Sequence, residues 1–394
     1  MRILLGGIPL GCDNVGDEAI IAGVVKMLKE SIPGVELTVA TADASTAALL
    51  GVNVVPVFGF LDVGFRGFAD EVRRHDAYIW CGATGLSDYP HVALELIEIA
   101  QREGVPTFIW GVGMDDELNP VFFKVAGKRR FLLSLFGLVG WYERHLRARL
   151  ARRIARVLPR CKGVWLRDPQ SAAMLAKTGF PNAGVTADSA ILLCDAASSS
   201  SRISSDSRTL GLCISTQRQV VDLDGVKGLI AAVRDSGARV LGIPMNIKTD
   251  RALLESLGME CIPGTTPEAV MAAAAECDVV LSSRLHLLIL AANVGTPGLG
   301  IARGSKLANW LSNFGENVVG SVYDCDWDKV TDLVLAAFKD RGGWGEPSRR
   351  AANGRNEPSR RAASGWNTIR AAAYERLMDR LEKARTELAA KLTT

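Results

Sequence analysis

Long apolar runs, paired cysteines and net charge are all scarce in this chain of 394 residues. The longest apolar stretch, Phe131 to Tyr142, is broken by Ser134. It is too short to cross about 30 Å of hydrocarbon, which excludes a spanning helix there. The eight cysteines stand at 12, 81, 161, 194, 213, 261, 277 and 325. None pairs in the Cys-x-x-Cys spacing of a zinc site or redox motif, so no metal is expected and the thiols read as buried and reduced. Lys and Arg number 46 against 43 Asp and Glu, a balance that gives no reason to expect a nucleic-acid partner. The opening Arg2-Ile3-Leu4-Leu5-Gly6-Gly7 reads as a strand and not as the apolar core of a signal peptide, so a cytoplasmic protein is expected. Global disorder is excluded by 48% apolar and only 23% charged residues.

What is present is alternation. Continuous apolar runs at Ile3–Ile8, Glu36–Thr41, Val52–Phe58, Ala77–Cys81, Pro106–Val112, Val164–Arg167 and Val185–Asp188 predict strands, with helical patterns such as Asp17–Ser31 and Tyr89–Glu103 between them. A Ser-rich break at 198–208 interrupts the pattern, which restarts with Leu210–Ser215, Val240–Pro244, Val279–Ser283 and Pro297–Ile301. Strands apolar on both faces and separated by helices predict parallel sheets covered on both sides. The expected architecture is α/β, with two Rossmann-like doubly wound domains, 1–197 and 209–342, and a cleft between them. A linker and terminal helix follow over 343–394.

Two segments depart from the alternation. Within the excursion 118–160, residues 124–160 carry eleven basic residues against the single acid Glu143. They surround an uncharged centre, Phe131 to Trp141. Two readings fit: a helical excursion packed on its own domain with solvated arginines, or an interfacial helix touching a membrane surface. The tail repeats Glu346-Pro347-Ser348-Arg349-Arg350-Ala351-Ala352 as Glu357 to Ala363, two copies being too few for a solenoid. Residues 366–392 then read as a helix able to lie back across the first domain. The small net charge is thus a sum of acidic domain bodies and two basic appendages.

The residues that could carry chemistry sit at strand ends. The first βα junction, Gly11-Cys12-Asp13-Asn14-Val15-Gly16-Asp17-Glu18, is not G-x-G-x-x-G, and its acids would repel a pyrophosphate. Asn14, Asp17 and Glu18 suit sugar hydroxyls, and Asp17 could serve as acid or base; alternatively the two acids only complement the helix dipole. Gly85 lies in a small-residue turn after the fourth strand, where tight packing alone would also explain it. Arg167 ends a strand beside Asp168. Arg284-Leu285-His286 ends another in the second domain, with Lys306 shortly after. Arginine forks and lysine hold carboxylate and phosphate, while histidine moves protons near neutral pH. A structural ion pair is the plain alternative.

Asn14-Val15-Gly16-Asp17-Glu18-Ala19-Ile20, Arg167-Asp168-x-x-Ser171, Thr186-Ala187-Asp188, Arg284-Leu285-His286 and Lys306, in this order, resemble the polysaccharide pyruvyl transferase family. Where that family tends to have a run of glycines, this chain has Cys81-Gly82-Ala83-Thr84-Gly85. The family pattern does not supply the basic excursion or the repeat. The resemblance implies a GT-B-like fold and transfer of pyruvate from phosphoenolpyruvate to two sugar hydroxyls as a ketal. Phosphoenolpyruvate would be the co-substrate, with no further cofactor. It further implies Arg167, Arg284, Leu285 and Lys306 at the donor, Asn14, Glu18 and Gly85 at the acceptor, and His286 and Asp17 in catalysis. A lipid-linked acceptor would place the protein peripherally at the inner face of the membrane.

Two other readings remain open at this point. One is a nucleotide-sugar glycosyltransferase of the same fold. It usually carries an acid near the start of the helix that here reads Leu285-His286-Leu287-Leu288, with no acid. The other is a non-catalytic carbohydrate-binding member of an envelope assembly.

Overall fold

The computed structural model describes residues 1–42, 47–48, 50–60, 63–115, 118–199, 208–215, 220–264, 266–339 and 365–394. The tandem repeat and nearly all of the Ser-rich hinge lie outside them. The chain divides into two units. The first comprises Met1–Cys12, Val24–Ser189 and Arg380–Thr394; the second comprises Asp13–Gly23 and Ala190–Asp379. Chain order alone puts residues 13–23 with the first sheet. By contacts they count with the second unit, because Val15 N–H donates to the Met245 carbonyl at 3.0 Å and Asn14 bridges Asn246.

The first unit is built on a parallel sheet of strands β1 (Arg2–Leu10), β2 (Glu36–Thr41), β3 (Asn53–Val55), β4 (Ala77–Cys81), β5 (Thr107–Val112), β6 (Gly163–Leu166) and β7 (Gly184–Val185). Their order is β3-β2-β1-β4-β5-β6-β7, the doubly wound arrangement with its reversal between β1 and β4. β4 and β5 are buried along their whole length, as continuous apolar runs require. β3 is shorter than the predicted run because Pro56 has no N–H to continue the ladder.

The second sheet is parallel as well. Its strands β8 (Thr209–Cys213), β9 (Arg239–Gly242), β10 (Glu260–Cys261), β11 (Val279–Ser282), β12 (Gly298–Ala302) and β13 (Gly320–Ser321) are ordered β10-β9-β8-β11-β12-β13. The edge strands β10 and β13, two residues each, carry no apolar run and escape sequence reading. The reversal lies between β8 and β11, so the loops leaving their carboxyl ends diverge and open a place for side chains.

Helices cover the sheets. Those that matter below are α1 (Val15–Ser31), α2 (Pro90–Arg102), α3 (Gly127–Leu135), α4 (Val139–Val157), α5 (Pro169–Lys177), α6 (Asp250–Ser256), α7 (Leu285–Asn293), α8 (Ser305–Ser312) and α9 (Gly365–Thr393). α2 starts with Pro at its first position and buries Val92, Leu94, Leu96 and Ile97. Each such side chain contributes about 1.5–3 kcal/mol.

The basic excursion forms α3 and α4. α4 buries Leu150, Ile154 and Val157, spaced one and two helical turns apart, and α3 buries nothing. Two of the predicted rim cations pair with acids of the unit, Arg153 partly buried and Arg156 still exposed. Arg153 Nη2 lies 2.6 Å from Glu95 and 2.5 Å from Glu98, and Arg156 reaches Glu98 at 2.5 Å. Burial pushes the Glu98 carboxyl up, but hydrogen bonds from Arg153 and Arg156 outweigh it and hold the pKa below its ordinary value.

In the first unit α9 buries Leu381, Ala384, Leu388 and Leu392. Glu387 accepts from the Trp165 indole N–H at 3.1 Å, and Lys391 lies 5.5 Å over the same ring.

Candidate active site

The sequence-selected residues fall into two groups. Arg167 and Gly85 belong to the first unit; Asn14, Asp17, Glu18, Arg284, Leu285, His286 and Lys306 all belong to the second.

In the second unit the first turns of α1 meet the start of α7. Asn14 closes the N-terminus of α1: its Oδ1 accepts from Gly16 N–H at 3.2 Å, and its Nδ2 donates to Asp17 Oδ2 at 2.6 Å. Gly16 is glycine for a steric reason, since a Cβ there would overlap the His286 ring. His286 thus packs directly on the helix turn that carries Asp17. Asp17 is half-buried by surface area, yet its carboxyl is densely surrounded by protein. That enclosure raises its pKa, against the pull of His286, Lys306, the Asn14 hydrogen bond and Arg284. The carboxyl therefore takes its proton more readily than an ordinary aspartate, with positive groups close by.

Arg284 leaves β11 at the reversal of the second sheet. Ser282 Oγ accepts from Arg284 N–H at 2.9 Å, and Ser283 Oγ accepts from Ser215 N–H at 2.8 Å, tying the loops after β8 and β11. The guanidinium is gripped by Asp250, with Nε to Oδ2 at 3.0 Å and Nη2 to Oδ1 at 2.8 Å. Asp250 has 0% side-chain exposure and Arg284 12%, so this is a buried bidentate pair. Asp250 also accepts from Asn246 N–H at 3.0 Å. Leu285 is buried as the first residue of α7, and Lys306 sits in the first turn of α8. Glu18 lies beside Asp17, its N–H donating to the Asn14 carbonyl at 3.1 Å.

In the first unit Arg167 is buried, with 7% side-chain exposure. Its Nε is 3.4 Å from Asp168 and its Nη1 3.4 Å from Asp188. Burial alone would lower its pKa; Asp168, Asp188 and Asp115 outweigh that and raise it. A Cβ on Gly113 would come within 2.5 Å of Arg167 Nη2, so the guanidinium packs against the backbone after β5. Asp168 caps α5 through Ser171 N–H at 2.7 Å, and Ser171 Oγ accepts from Met114 N–H at 2.9 Å. These contacts make Arg167 the centre of an ion-pair cluster that fixes the ends of β5 and β6. Gly85 has a packing reason: a Cβ there would lie 2.7 Å from the Trp80 indole nitrogen. Ala83, at φ 50, holds the turn before it in the left-handed region, a conformation L residues adopt at a cost.

Sequence reasoning missed Asp250 and the Met245–Asn246 loop. The signal was present in Asn246-x-x-Thr249-Asp250 after a predicted strand, the pattern of an Asx turn opening a helix. Asn246 Oδ1 indeed accepts from both Lys248 and Thr249 N–H.

Several solved structures share the fold. A UDP-GlcNAc 2-epimerase from Neisseria meningitidis aligns with a TM-score of 0.52 and 11% identity, over 97% of this chain and 100% of that one. A glycotransferase of kitacinnamycin gives 0.55 and 12%, over 99% and 98%. A ugt transferase from Siraitia grosvenorii gives 0.53 and 10%, over the whole of both chains. Identities this low establish the fold alone: two Rossmann-like parallel-sheet units of the GT-B type with a C-terminal helix. No curated protein matches the chain. The model of one family, polysaccharide pyruvyl transferase, matches residues 14–305, most of the length, and the chain belongs to that family.

Proposed function

We propose that the protein transfers the pyruvyl group of phosphoenolpyruvate to two hydroxyls of a cell-surface or exopolysaccharide sugar, closing a ketal and releasing phosphate. The observation that supports this most directly is the enclosed Asp17 carboxyl of raised pKa among His286, Lys306 and Arg284. Such a carboxyl can hold a proton and deliver it, while the cations attract a donor bearing carboxylate and phosphate.

In this reading protonation at the methylene carbon of phosphoenolpyruvate makes a methyl group and leaves C2 cationic. The first sugar hydroxyl adds to C2 and gives up its proton. The C2–O bond to phosphate then breaks with its electron pair on the phosphate, and the second hydroxyl closes the ring at C2. Of the two hydroxyl protons released, one restores the acid and the other leaves with phosphate. Asp17 is assigned the proton donor, because its raised pKa favours the protonated form. His286, packed against the same helix turn, is assigned in its neutral form the base that takes the hydroxyl proton, which leaves Lys306 and Arg284 as the cations. Lys306 and Arg284 supply positive charge for the donor. Asp250 holds one edge of Arg284, so that residue is oriented before any ligand arrives.

Asn14 and Glu18 are assigned to the acceptor sugar. Arg167, enclosed by its own carboxylates, enters as a residue that fixes strand ends. The nucleotide-sugar reading is not favoured, since α7 has no acid in its first turn.

The test is phosphate release from phosphoenolpyruvate with candidate glycans, for wild type, His286→Ala, Arg284→Ala and Asp17→Asn. Acceptor-dependent release that falls roughly 10²–10⁴-fold in the His286 and Asp17 variants supports the assignment. Undiminished turnover in His286→Ala and Arg284→Ala would sink it.

A further inference from the structure

We propose that the α3–α4 hairpin of the first unit docks on an anionic membrane surface, its apolar turn seated at the headgroup boundary. Residues 131–141 contain no charged side chain. They nevertheless expose Phe131 at 65%, Leu135 at 63%, Phe136 at 75% and Trp141 at 56% of their areas. Large apolar residues this close together are not a normal solvated surface.

The hairpin is ordered in spite of this exposure. Gly137, at φ 66, closes α3, with Leu138 N–H donating to the Leu133 carbonyl at 2.8 Å. Arg129 lies 4.3 Å over the Tyr142 ring, and Glu143, the one acid of the region, accepts from Val125 N–H at 3.1 Å. α4 is anchored mainly along its far half, through Leu150, Ile154, Val157 and the Arg153 and Arg156 ion pairs, with Leu146 adding a partly buried contact nearer the turn. The apolar side chains of the turn, Phe131, Leu135, Phe136 and Trp141, stay outward.

The charge identifies the partner. Lys128, Arg129 and Arg130 precede the apolar stretch, and Arg144, Arg147, Arg149 and Arg152 follow it, all exposed. A single sign of charge bracketing Phe, Leu and Trp matches an anionic leaflet: the cations meet headgroups while the rings enter the acyl boundary. A second copy of this chain would bring the same cations against one another. α3, at nine residues, is far too short to span, so the contact is peripheral.

Flotation with vesicles of phosphatidylcholine, with and without phosphatidylglycerol, tests this. Wild-type protein should float with the anionic vesicles, fail to float with phosphatidylcholine alone, and dissociate as salt is raised. Lys128→Gln/Arg130→Gln/Arg144→Gln should lose about fivefold in vesicle affinity per cation removed. Phe131→Ser/Phe136→Ser/Trp141→Ser should lose binding with no fall in melting temperature, since these side chains are already exposed. No flotation of wild type, or equal flotation of all three proteins, would overturn the proposal. So would a wild-type dimer in sedimentation velocity that the Phe131/Phe136/Trp141 variant converts to monomer while vesicle binding is absent.

Discussion

Asp250 and Arg284 face each other as two parallel forks, closed at 3.0 and 2.8 Å in a place almost without solvent. Removing one partner leaves the other charged and unpaired. Asp250→Ala is therefore expected to destabilise the second unit by about 3–5 kcal/mol. The double variant Asp250→Ala/Arg284→Met should recover much of that loss, because no buried charge then remains. Urea unfolding of the three proteins checks it; equal losses in single and double variants would show that the pair is not coupled.

Gly16 controls the position of His286. Any Cβ at that position overlaps the imidazole. Gly16→Ala should displace the ring and lower kcat roughly 10²-fold, the order of loss that follows a shift of about 1 Å at a reacting group. The helix turn itself tolerates alanine well, so the melting temperature should move far less than the rate. A variant with unchanged kcat would separate His286 from the chemistry.

Asp17 links the site to pH. Its pKa is raised by enclosure from 3.8, so between that value and the folded one the native chain holds a proton that the unfolded chain has released. Stability from this residue is thus present at low pH and lost as pH rises through that window. Asp17→Asn cannot ionise and should melt above wild type near pH 7, the difference fading below about pH 4. Activity should move the other way, the variant falling roughly 10²–10⁴-fold across the pH range. Melting curves that run parallel at all pH values would contradict the raised pKa.

The last turns of α9 are a structural part of the first unit. Leu388 is 1% exposed there. Leu388→Ala should cost about 2–5 kcal/mol. Glu387→Gln, which keeps an acceptor for the Trp165 indole, should cost under about 1 kcal/mol. Thermal melts of both variants would rank them, and the opposite ranking would mean that the helix is held by polar contacts.

The strands were legible because an apolar run buried on both faces is written continuously, as in Ala77–Cys81 and Thr107–Val112. β10 and β13 were not, since two-residue edge strands need no apolar pattern. Arg284 and His286 could be picked out because one of only four histidines stands two residues from an arginine at a strand tip. Asp250 could not be matched to Arg284, because 34 residues separate them and only the parallel neighbours β8, β9 and β11 bring their loops together. Arg167 illustrates the converse: an arginine before an aspartate looks available in the sequence, while Asp188, 21 residues on, completes its neutralisation. Gly85 and Gly16 both follow a strand in the sequence, and only the neighbouring ring shows that one makes room for Trp80 and the other for His286.

The closing of the first unit by residues 380–394 has a bearing on biosynthesis. Its β1 leaves the ribosome first, but Leu381, Leu388 and Leu392 emerge after the entire second sheet has been made. At roughly 5–20 residues per second, the surface that α9 covers waits tens of seconds for its partner. The second sheet is free to form during that interval. The first unit therefore keeps this apolar surface uncovered throughout that interval and should depend on chaperones that shield apolar surface in nascent chains.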